Sequence, residues 1–232
     1  MQSSRREYDV EKSWVTILVS VIAGWLLGQI TAIAKLLYQR RTLRRTLAEE
    51  VEGLNQGAVR IWLSLARSLQ IATNRGLDNG VPLPLKGEVY RHHYKDALLA
   101  INKYQRQSLE MLYQYVEQVE QALGRLTAHN QEIRAKHASQ GSFDLADLDR
   151  YKDKIRALMH LVADIKWHAR HYLEHPLLPD LQYLSPEHKA YVRYLDQVRE
   201  EIAKIERLAE GLGQEGWENA YIPKIFDDIP DS

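Results

Sequence analysis

The sequence predicts an all-α protein in which one N-terminal transmembrane helix continues into a cytoplasmic bundle of long helices, like a four-helix bundle or coiled coil. Two observations support this class. An uncharged apolar stretch near the N-terminus is long enough to cross a bilayer, and most of the remaining chain repeats apolar residues every three or four positions. No run alternates β-branched and polar residues, as a half-buried strand would.

The apolar stretch extends from Trp14 to Ala34, 21 residues without a charge. At 1.5 Å per residue such a helix is about 31 Å long, which matches a hydrocarbon core of about 30 Å. A core helix of a soluble domain seldom runs this far uncharged, and a signal peptide has a shorter apolar region of about 7–15 residues. We therefore assign residues 14–37 to the transmembrane helix and residues 1–13 to an N-terminal tail.

Basic residues predict the orientation of this helix. Three of them, Arg5, Arg6 and Lys12, precede the span, and five follow it without an intervening acid. The positive-inside rule then places the C-terminal body in the cytoplasm and the span in the inner (cytoplasmic) membrane. Membrane lipid is the expected partner of the residues at the two ends of the span, which are Trp14, Lys35, Arg40, Arg41, Arg44 and Arg45.

Small residues recur at every fourth position within the span, at Ser20, Gly24, Gly28 and Ala32. This spacing puts them on one helix face, where a second backbone can approach closely enough for dispersion contacts. Small residues are also common in transmembrane helices that make no such contact. We expect this face to contact another helix, either of a second copy or of a protein partner.

The body, residues 38–213, is predicted to be helical. The apolar repeat that follows the span continues past Gly53 and Gly57, where we expect the helix to be weakest. It ends at a loop over residues 74–88. Asp144 and Ser185 are predicted N-caps, and the helix that begins after Asp144 is predicted to end at Pro176. Adjacent acid pairs such as Glu49-Glu50 and Glu200-Glu201 are expected to be solvated. Residues 214–232 form an acidic, aromatic tail that packs on the bundle or binds a partner.

Composition excludes several kinds of chemistry. Lysine plus arginine and aspartate plus glutamate both number 31, so the formal charge is zero, which argues against a dedicated nucleic-acid binder. The chain has no cysteine, which removes disulfides, thiolate catalysis and cysteine-containing zinc sites. No Gly-rich phosphate loop, G-x-S-x-G or H-E-x-x-H motif occurs. We therefore expect that the protein uses no cofactor, and we favour a protein that is not an enzyme over an enzyme.

One stretch resembles a site. Asp164, His168, His171 and His175 are spaced so that all four project from one helix face, and ligands three or four residues apart can share a metal. A His-rich stripe is more often simply a polar face, and the Glu-x-x-His motif expected on a second helix is missing. We therefore assign no metal site from the sequence. These four residues are the candidate ligands against which a metal site can be checked.

The same stretch reads Arg170-His171-Tyr172-Leu173-Glu174-His175. It resembles the six-residue motif of HEPN ribonucleases, an all-helical family common in bacterial defence and toxin systems. The resemblance implies that Arg170 and His175 would be the catalytic pair, acting on the RNA 2′-hydroxyl and phosphate, with His171 at the polar second position. The context differs, because the motif here closes a helix before Pro176, whereas in the family it commonly opens one.

At the level of the whole chain, the span followed by QRRTLRRTLAEEVEGL and a helical body resembles bacterial single-pass membrane proteins of uncharacterised activity, some of them suspected neighbours of phage-defence genes. The resemblance implies a membrane-anchored helical protein that works through assembly, as an oligomerising membrane effector of a defence-type system. Two alternatives remain open: a membrane-tethered HEPN-like ribonuclease, and an accessory subunit of a larger membrane complex.

Overall fold

A computed structural model describes residues 3–78, 80, 82–85, 87, 89–178, 182–210, 212 and 220–223, with side chains from Leu18 onward except Tyr90, Tyr94 and Leu98. All regular structure in these ranges is helical, and they contain no strand. The all-α class predicted from the sequence is thereby confirmed.

The helices in the described ranges are α1 (Ser3–Thr73), α2 (Val89–His92), α3 (Tyr94–Ala100), α4 (Lys103–Gln140), α5 (Leu145–Glu174) and α6 (Pro186–Ala209). The chain divides into two compact units, Met1–Arg45 and Thr46–Ser232, and α1 contributes residues to both.

The first unit consists of the first part of α1. The helix begins at Ser3, so it already includes most of the residues assigned to the N-terminal tail. From Leu18 onward α1 is long and apolar enough, by length and composition, to cross a membrane, and none of its apolar window is buried within the chain. The presence of one such helix near the N-terminus agrees with the prediction.

The second unit has a core made by the apolar stripes. On α1 the stripe from Leu47 to Leu69 is buried, with Trp62 fully enclosed. Apolar residues three or four positions apart form a stripe on α4 from Leu109 to Leu126 and a stripe on α5 from Leu148 to Tyr172, and both stripes are buried throughout. On α6 only the second half of the stripe, from Val198 to Ala209, is fully buried. Helix periodicity therefore identifies the core of this unit almost residue by residue.

Helix boundaries follow from local chemistry. Asn102 and Gln105 form a capping box at the start of α4, and Gly141 takes a left-handed conformation (φ 73°) where α4 ends. The Asp144 carboxylate accepts from Ala146 N at 2.9 Å, which caps α5 and confirms the predicted N-cap. Ser185 caps α6 ahead of Pro186, again as predicted.

The short connection between α4 and α5 makes them an antiparallel pair. Lys136 Nζ lies 2.9 Å from Asp147 Oδ2 near the connection. At the opposite ends the side chain of Asn102 donates to the carbonyl of Pro176. Helix α6 folds back along α5 in the same way, since Arg156 pairs with Glu206 through two guanidinium nitrogens.

Polar contacts also join distant parts of the second unit. Asn74 Nδ2 donates to the carbonyl of Ala209 at 2.9 Å, so the last turns of α1 and α6 meet. Glu50 accepts from Val89 N at 2.6 Å and from the hydroxyl of Tyr113. Glu201 accepts from the hydroxyl of Tyr221 at 2.5 Å. The expectation that the acid pairs are solvated is therefore wrong for these two carboxylates, which tie loop and tail to the helices.

The described part of the C-terminal tail, residues 220–223, packs on this unit. The side-chain amide of Gln70 forms two hydrogen bonds with the backbone of Tyr221, and Pro223 is buried. Of the two alternatives predicted for the tail, these residues follow the first, packing on the helical body. The rest of residues 214–232 lies outside the described residues.

Candidate functional site

A cavity of about 580 Å³ lies between the C-terminal half of α5 and the N-terminal half of α6, inside the second unit. Residues three and four positions apart project from one face of a helix, and both walls follow this spacing. The cavity is lined by Lys166, Trp167, Arg170, His171, Glu174, His175, Glu187, Ala190, Arg193, Tyr194 and Gln197. They include the three signature positions of the HEPN-like motif, which are Arg170, His171 and His175.

Charged groups on the α5 wall contact one another. Arg170 Nε donates to Glu174 Oε1 at 2.8 Å, and the other carboxylate oxygen of Glu174 lies 4.0 Å from His175 Nε2. The rings of His171 and His175 are 5.3 Å apart. Glu174 therefore lies between the two members of the HEPN-like pair. Its ion pair with Arg170 is about half exposed, so its contribution to stability is small.

The α6 wall begins with Glu187 in the first helical turn. Hydrogen bonds from its own backbone N–H and from Ser185 hold the pKa of the Glu187 carboxyl below its ordinary value, and the nearby His171 and His175 lower this pKa further. Arg193 lies six residues, almost two turns, further along the same wall. A carboxylate and a guanidinium thus border the cavity from α6.

Two basic side chains of the cavity wall are buried. Lys166 is 8% exposed and His171 is 5% exposed, although both carry polar or charged groups that water normally solvates. Neither burial could be predicted from the apolar stripe on α5, because neither residue belongs to it. The cavity therefore presents basic groups in a partly desolvated setting.

An aromatic cluster, defined here as Tyr115, Trp167, His168, Tyr191 and Tyr194, lies against the cavity. His168 is fully buried and stacks on Tyr115, with ring centroids 5.1 Å apart. Trp167 packs against Tyr191 at 5.6 Å and against Tyr194 at 5.2 Å. The cluster joins α4, α5 and α6 and fixes the Trp167 and Tyr194 rings that line the cavity.

Asp164 is the acid of this cluster. The hydroxyl of Tyr191 donates to Asp164 Oδ1 at 2.6 Å. Burial raises the pKa of Asp164, while the bond from Tyr191 and the nearby His168 and His160 oppose that rise. The pKa of Tyr191 is raised by burial and by the same hydrogen bond, so its proton stays on the phenol. This arrangement acts as a structural contact between α5 and α6.

The four metal candidates are divided between two places. Asp164 and His168 belong to the aromatic cluster, whereas His171 and His175 line the cavity. Across the described ranges, no group of three or more acidic or histidine side chains is arranged to hold a metal ion.

The HEPN-like pair is brought to one cavity by the structure. Arg170 and His175 both line it, and Arg170 is engaged by Glu174 within the same wall. Lys166, Glu187 and Arg193, which complete the site, carried no recognisable signal in the sequence. Their common position depends on how α6 folds back on α5, and a single-helix pattern contains no such information.

The predicted membrane-contact residues lie in the first unit. Ser20, Gly24, Gly28 and Ala32 are exposed, and a Cβ built on either glycine meets no atom within 4 Å. The basic residues after the apolar stretch are exposed except Arg40, which is half-buried; the others are Lys35, Arg41, Arg44 and Arg45. Trp14 belongs to α1, but its side chain lies outside the described ones.

Comparison with known proteins gives no match, whether to a family model, to a curated protein or to a solved structure.

Proposed function

We propose that the protein is a single-pass protein of the inner membrane whose cytoplasmic helices form a bundle and whose activity depends on assembly rather than catalysis. The observation that supports this most directly is the exposed apolar surface of α1. Eleven large apolar side chains between Leu18 and Leu37 are exposed in the isolated chain. Full burial of each is worth about 1.5–3 kcal/mol, so this surface requires lipid or protein around it.

Assembly is supported by the small-residue face of the same segment. Among the described residues, no atom lies within 4 Å of a Cβ built on Gly24 or Gly28, so another helix can approach there. A second copy presents the same face and is the simplest occupant. In this proposal the protein is an oligomerising membrane effector of a defence-type system. An accessory role in a larger complex would use the same face for a different chain.

Membrane insertion is tested by alkaline carbonate extraction of membranes from cells that express the full chain. We expect the protein to stay in the pellet. Arginine at both Leu26 and Ile30 should release it, since each charge at the centre of a span costs about 2.5–3.5 kcal/mol. Leu63→Arg, at an exposed position later in the same helix, is the matched control and should remain membrane-bound. Extraction of the wild type by carbonate would contradict the proposal.

Orientation is tested by a reporter enzyme that is active only outside the cytoplasm, fused after Ser232. With the body in the cytoplasm this fusion should be silent, and the same reporter fused ahead of residue 14 should be active. Activity of the C-terminal fusion would reverse the proposed topology. Co-purification in mild detergent, followed by mass analysis, distinguishes self-assembly from an accessory role by the chains recovered.

The ribonuclease alternative is favoured by one specific observation. Arg170, His171 and His175 line the same cavity of about 580 Å³, where a splayed nucleotide could reach them. Against it stands Glu174, whose carboxylate already engages Arg170.

A further inference from the structure

The connection between α5 and α6, together with the start of α6, carries a surface patch of apolar and basic side chains. Its apolar members are Tyr183, Leu184 and Val192, which are 77%, 62% and 43% exposed. Its basic members are Lys189 and Arg193, both exposed near the start of α6. We refer to these five residues as the connection patch. Exposed apolar surface rimmed by polar residues marks a site of contact with a membrane or with another protein.

The charge of the connection patch indicates which partner it fits. An open groove runs along the patch, and no acid is among its described lining residues. These are Leu184, Pro186, His188, Lys189, Val192 and Arg193. Tyrosine, lysine and arginine next to apolar side chains are typical of protein surfaces that lie in the headgroup region of an anionic bilayer. We propose that the connection patch binds the anionic surface of the membrane in which α1 is anchored.

This inference rests on the proposed function, because the patch meets lipid only if the span is inserted. It adds a second lipid contact, made by the helical body, to the contact of the span itself. The second unit begins at Thr46, and about nine residues separate it from Leu37 at the predicted end of the span. A chain of that length reaches at most about 30 Å, so the beginning of the second unit stays near the bilayer.

The order of contacts along α4 shows which end of the second unit carries the connection patch. Near the start of this unit, Glu50 of α1 accepts from the hydroxyl of Tyr113 of α4. Just past the end of α1, the carbonyl of Asp78 accepts from Arg134 of α4 at 2.7 Å. The last part of α1 and α4 therefore run in the same direction, and α4 begins at the end of the unit that contains Thr46.

The connection patch lies at this same end. The N-cap of α4, Asn102, is roughly three turns, or about 16 Å, before Tyr113, and its side chain donates to the carbonyl of Pro176, where α5 has ended. From there α6 runs toward the end of α1, since the last turns of these two helices meet. The connection between α5 and α6 therefore extends past the level of Glu50 at the Thr46 end. This end is the part of the helical body that the bilayer can reach first.

The backbone of Leu184 supports an interaction at this surface. Its φ is 63°, which places a bulky L-residue in the left-handed region at a cost in free energy. Residues held in such conformations cluster where proteins bind their partners. The side chain of Leu184 is more than half exposed, so burial within the chain does not offset that cost. Contact with the bilayer removes this apolar surface from water and supplies the missing burial.

The test measures contact between the connection patch and lipid in the full chain. Because the chain has no cysteine, one introduced cysteine carries a single fluorescent label. Gln182→Cys places the label beside the patch, and Gln140→Cys places it where α4 ends, at the opposite end of the second unit; both glutamines are exposed.

Each labelled chain is reconstituted in vesicles of phosphatidylcholine, alone or mixed with phosphatidylglycerol, that contain a nitroxide-labelled lipid as quencher. We expect the lipid to quench the Gln182→Cys label more in the anionic vesicles than in the neutral ones. The Gln140→Cys label should be quenched in neither, because its end of the second unit lies away from the bilayer.

Substitutions within the patch test its chemistry. Lys189→Ala in the Gln182→Cys chain should lower the ratio of bound to unbound patch about five-fold, as the loss of one basic residue near an anionic surface does. Arg199→Ala is the matched control and should leave quenching unchanged, because Arg199 is exposed on the same helix and pairs with Asp196 at 2.9 Å outside the groove. Leu184→Gly removes the apolar side chain and permits a positive φ without strain. It should reduce quenching without lowering the urea midpoint of unfolding.

Equal quenching of the two labels, or equal quenching of the Gln182→Cys label in neutral and anionic vesicles, would overturn the proposal. A Gln182→Cys label that is shielded from water as the protein-to-lipid ratio rises, but is not quenched by lipid, would overturn it in favour of a second copy. Alkaline carbonate separates this inference from the proposed function. A chain that stays in the vesicles with an unquenched label contradicts only the lipid contact, whereas a chain that carbonate extracts contradicts membrane anchoring as well.

Discussion

The side chain of Gln70 and the backbone of Tyr221 form a reciprocal pair of hydrogen bonds. Gln70 Nε2 donates to the Tyr221 carbonyl at 2.9 Å, and Gln70 Oε1 accepts from Tyr221 N, also at 2.9 Å. Gln70 is only 1% exposed, so water has little access to its amide. A single side chain near the end of α1 thereby satisfies both backbone groups of a tail residue 151 positions later.

Gln70→Ala is therefore expected to destabilise the second unit. The backbone groups of Tyr221 lose their partner in a part-buried setting, which costs about 1–3 kcal/mol in the free energy of unfolding. Urea unfolding of the full chain in mild detergent, followed by circular dichroism, measures the change. Gln56→Ala is the control, since Gln56 is exposed and donates to Glu52 one turn away on the same helix. Equal effects of the two changes would show that the pair contributes nothing specific.

The two glycines of α1 that the sequence marks as weak points should respond differently to alanine. At Gly53 an added Cβ meets nothing within 4 Å, so Gly53→Ala should stabilise the helix by up to about 1 kcal/mol. At Gly57 the Cβ would lie 2.5 Å from Cδ2 of the buried Leu85. Gly57→Ala should therefore be less stable than Gly53→Ala by about 1–3 kcal/mol. A matching gain in the unfolding midpoint of both variants would contradict this reading.

Leucine at both Gly24 and Gly28 is expected to weaken self-association while membrane insertion survives. The substitutions add apolar surface, but they separate facing backbones and remove the dispersion contacts on which close helix packing in lipid depends. A two-hybrid or crosslinking assay in membranes with the segment from Lys12 to Gln39 measures the association of the span alone. If the double-leucine segment associates as strongly as the wild type, the small-residue face does not mediate association, and the segment serves only to anchor the protein in the membrane.

Replacement of Asp164 by Asn should change how stability depends on pH. Burial raises the pKa of Asp164 in the folded state, so the stability that its protonated form contributes is present below about pH 4 and is lost as the pH rises through the folded-state value. Asn keeps an acceptor for Tyr191 without a charge. We expect the variant to gain unfolding free energy relative to the wild type as the pH rises from about 4 to 7. If the difference in unfolding free energy between the variant and the wild type is constant across that range, the buried Asp164 carboxylate does not lower stability.

The double change Arg170→Ala with His175→Ala tests the ribonuclease alternative. We expect the cellular phenotype of the protein to be unchanged and the purified wild type to cleave single-stranded RNA no faster than the variant, because Glu174 already engages Arg170. Membrane level and circular dichroism of the variant serve as controls for folding. Loss of phenotype in a normally folded variant would favour the ribonuclease alternative over function through assembly.

The helical class, the stripes and the helix ends could be predicted from the sequence because they depend on neighbours three or four residues away. Asp144 and Ser185 cap their helices as the local pattern indicates. The burial of the Tyr151 and Ile155 stripe follows from the same periodicity. Membrane insertion, orientation and the bundle remain proposals.

The contacts that sequence reasoning missed all depend on distant segments. The carboxylate of Glu50 faces the short helix that begins at Val89, and Gly57 faces Leu85 in the loop. The cavity gathers Lys166 and Arg193 from two helices whose relative placement no single stripe determines. Periodicity shows which face of a helix is buried, but not which residue of another element covers it.

The hydrogen bond between Asn74 and the carbonyl of Ala209 has a consequence for biosynthesis. The two residues are 135 positions apart, so at about 5–20 residues per second a ribosome needs roughly 7–27 s to make the second after the first. Early in that interval, before α4 and α5 have been made, the apolar face of α1 around Trp62, which is fully buried in the finished protein, has no later long helix of its own chain to cover it. A nascent neighbour on the same polysome presents an identical face, so assembly between copies can begin before either copy has finished folding.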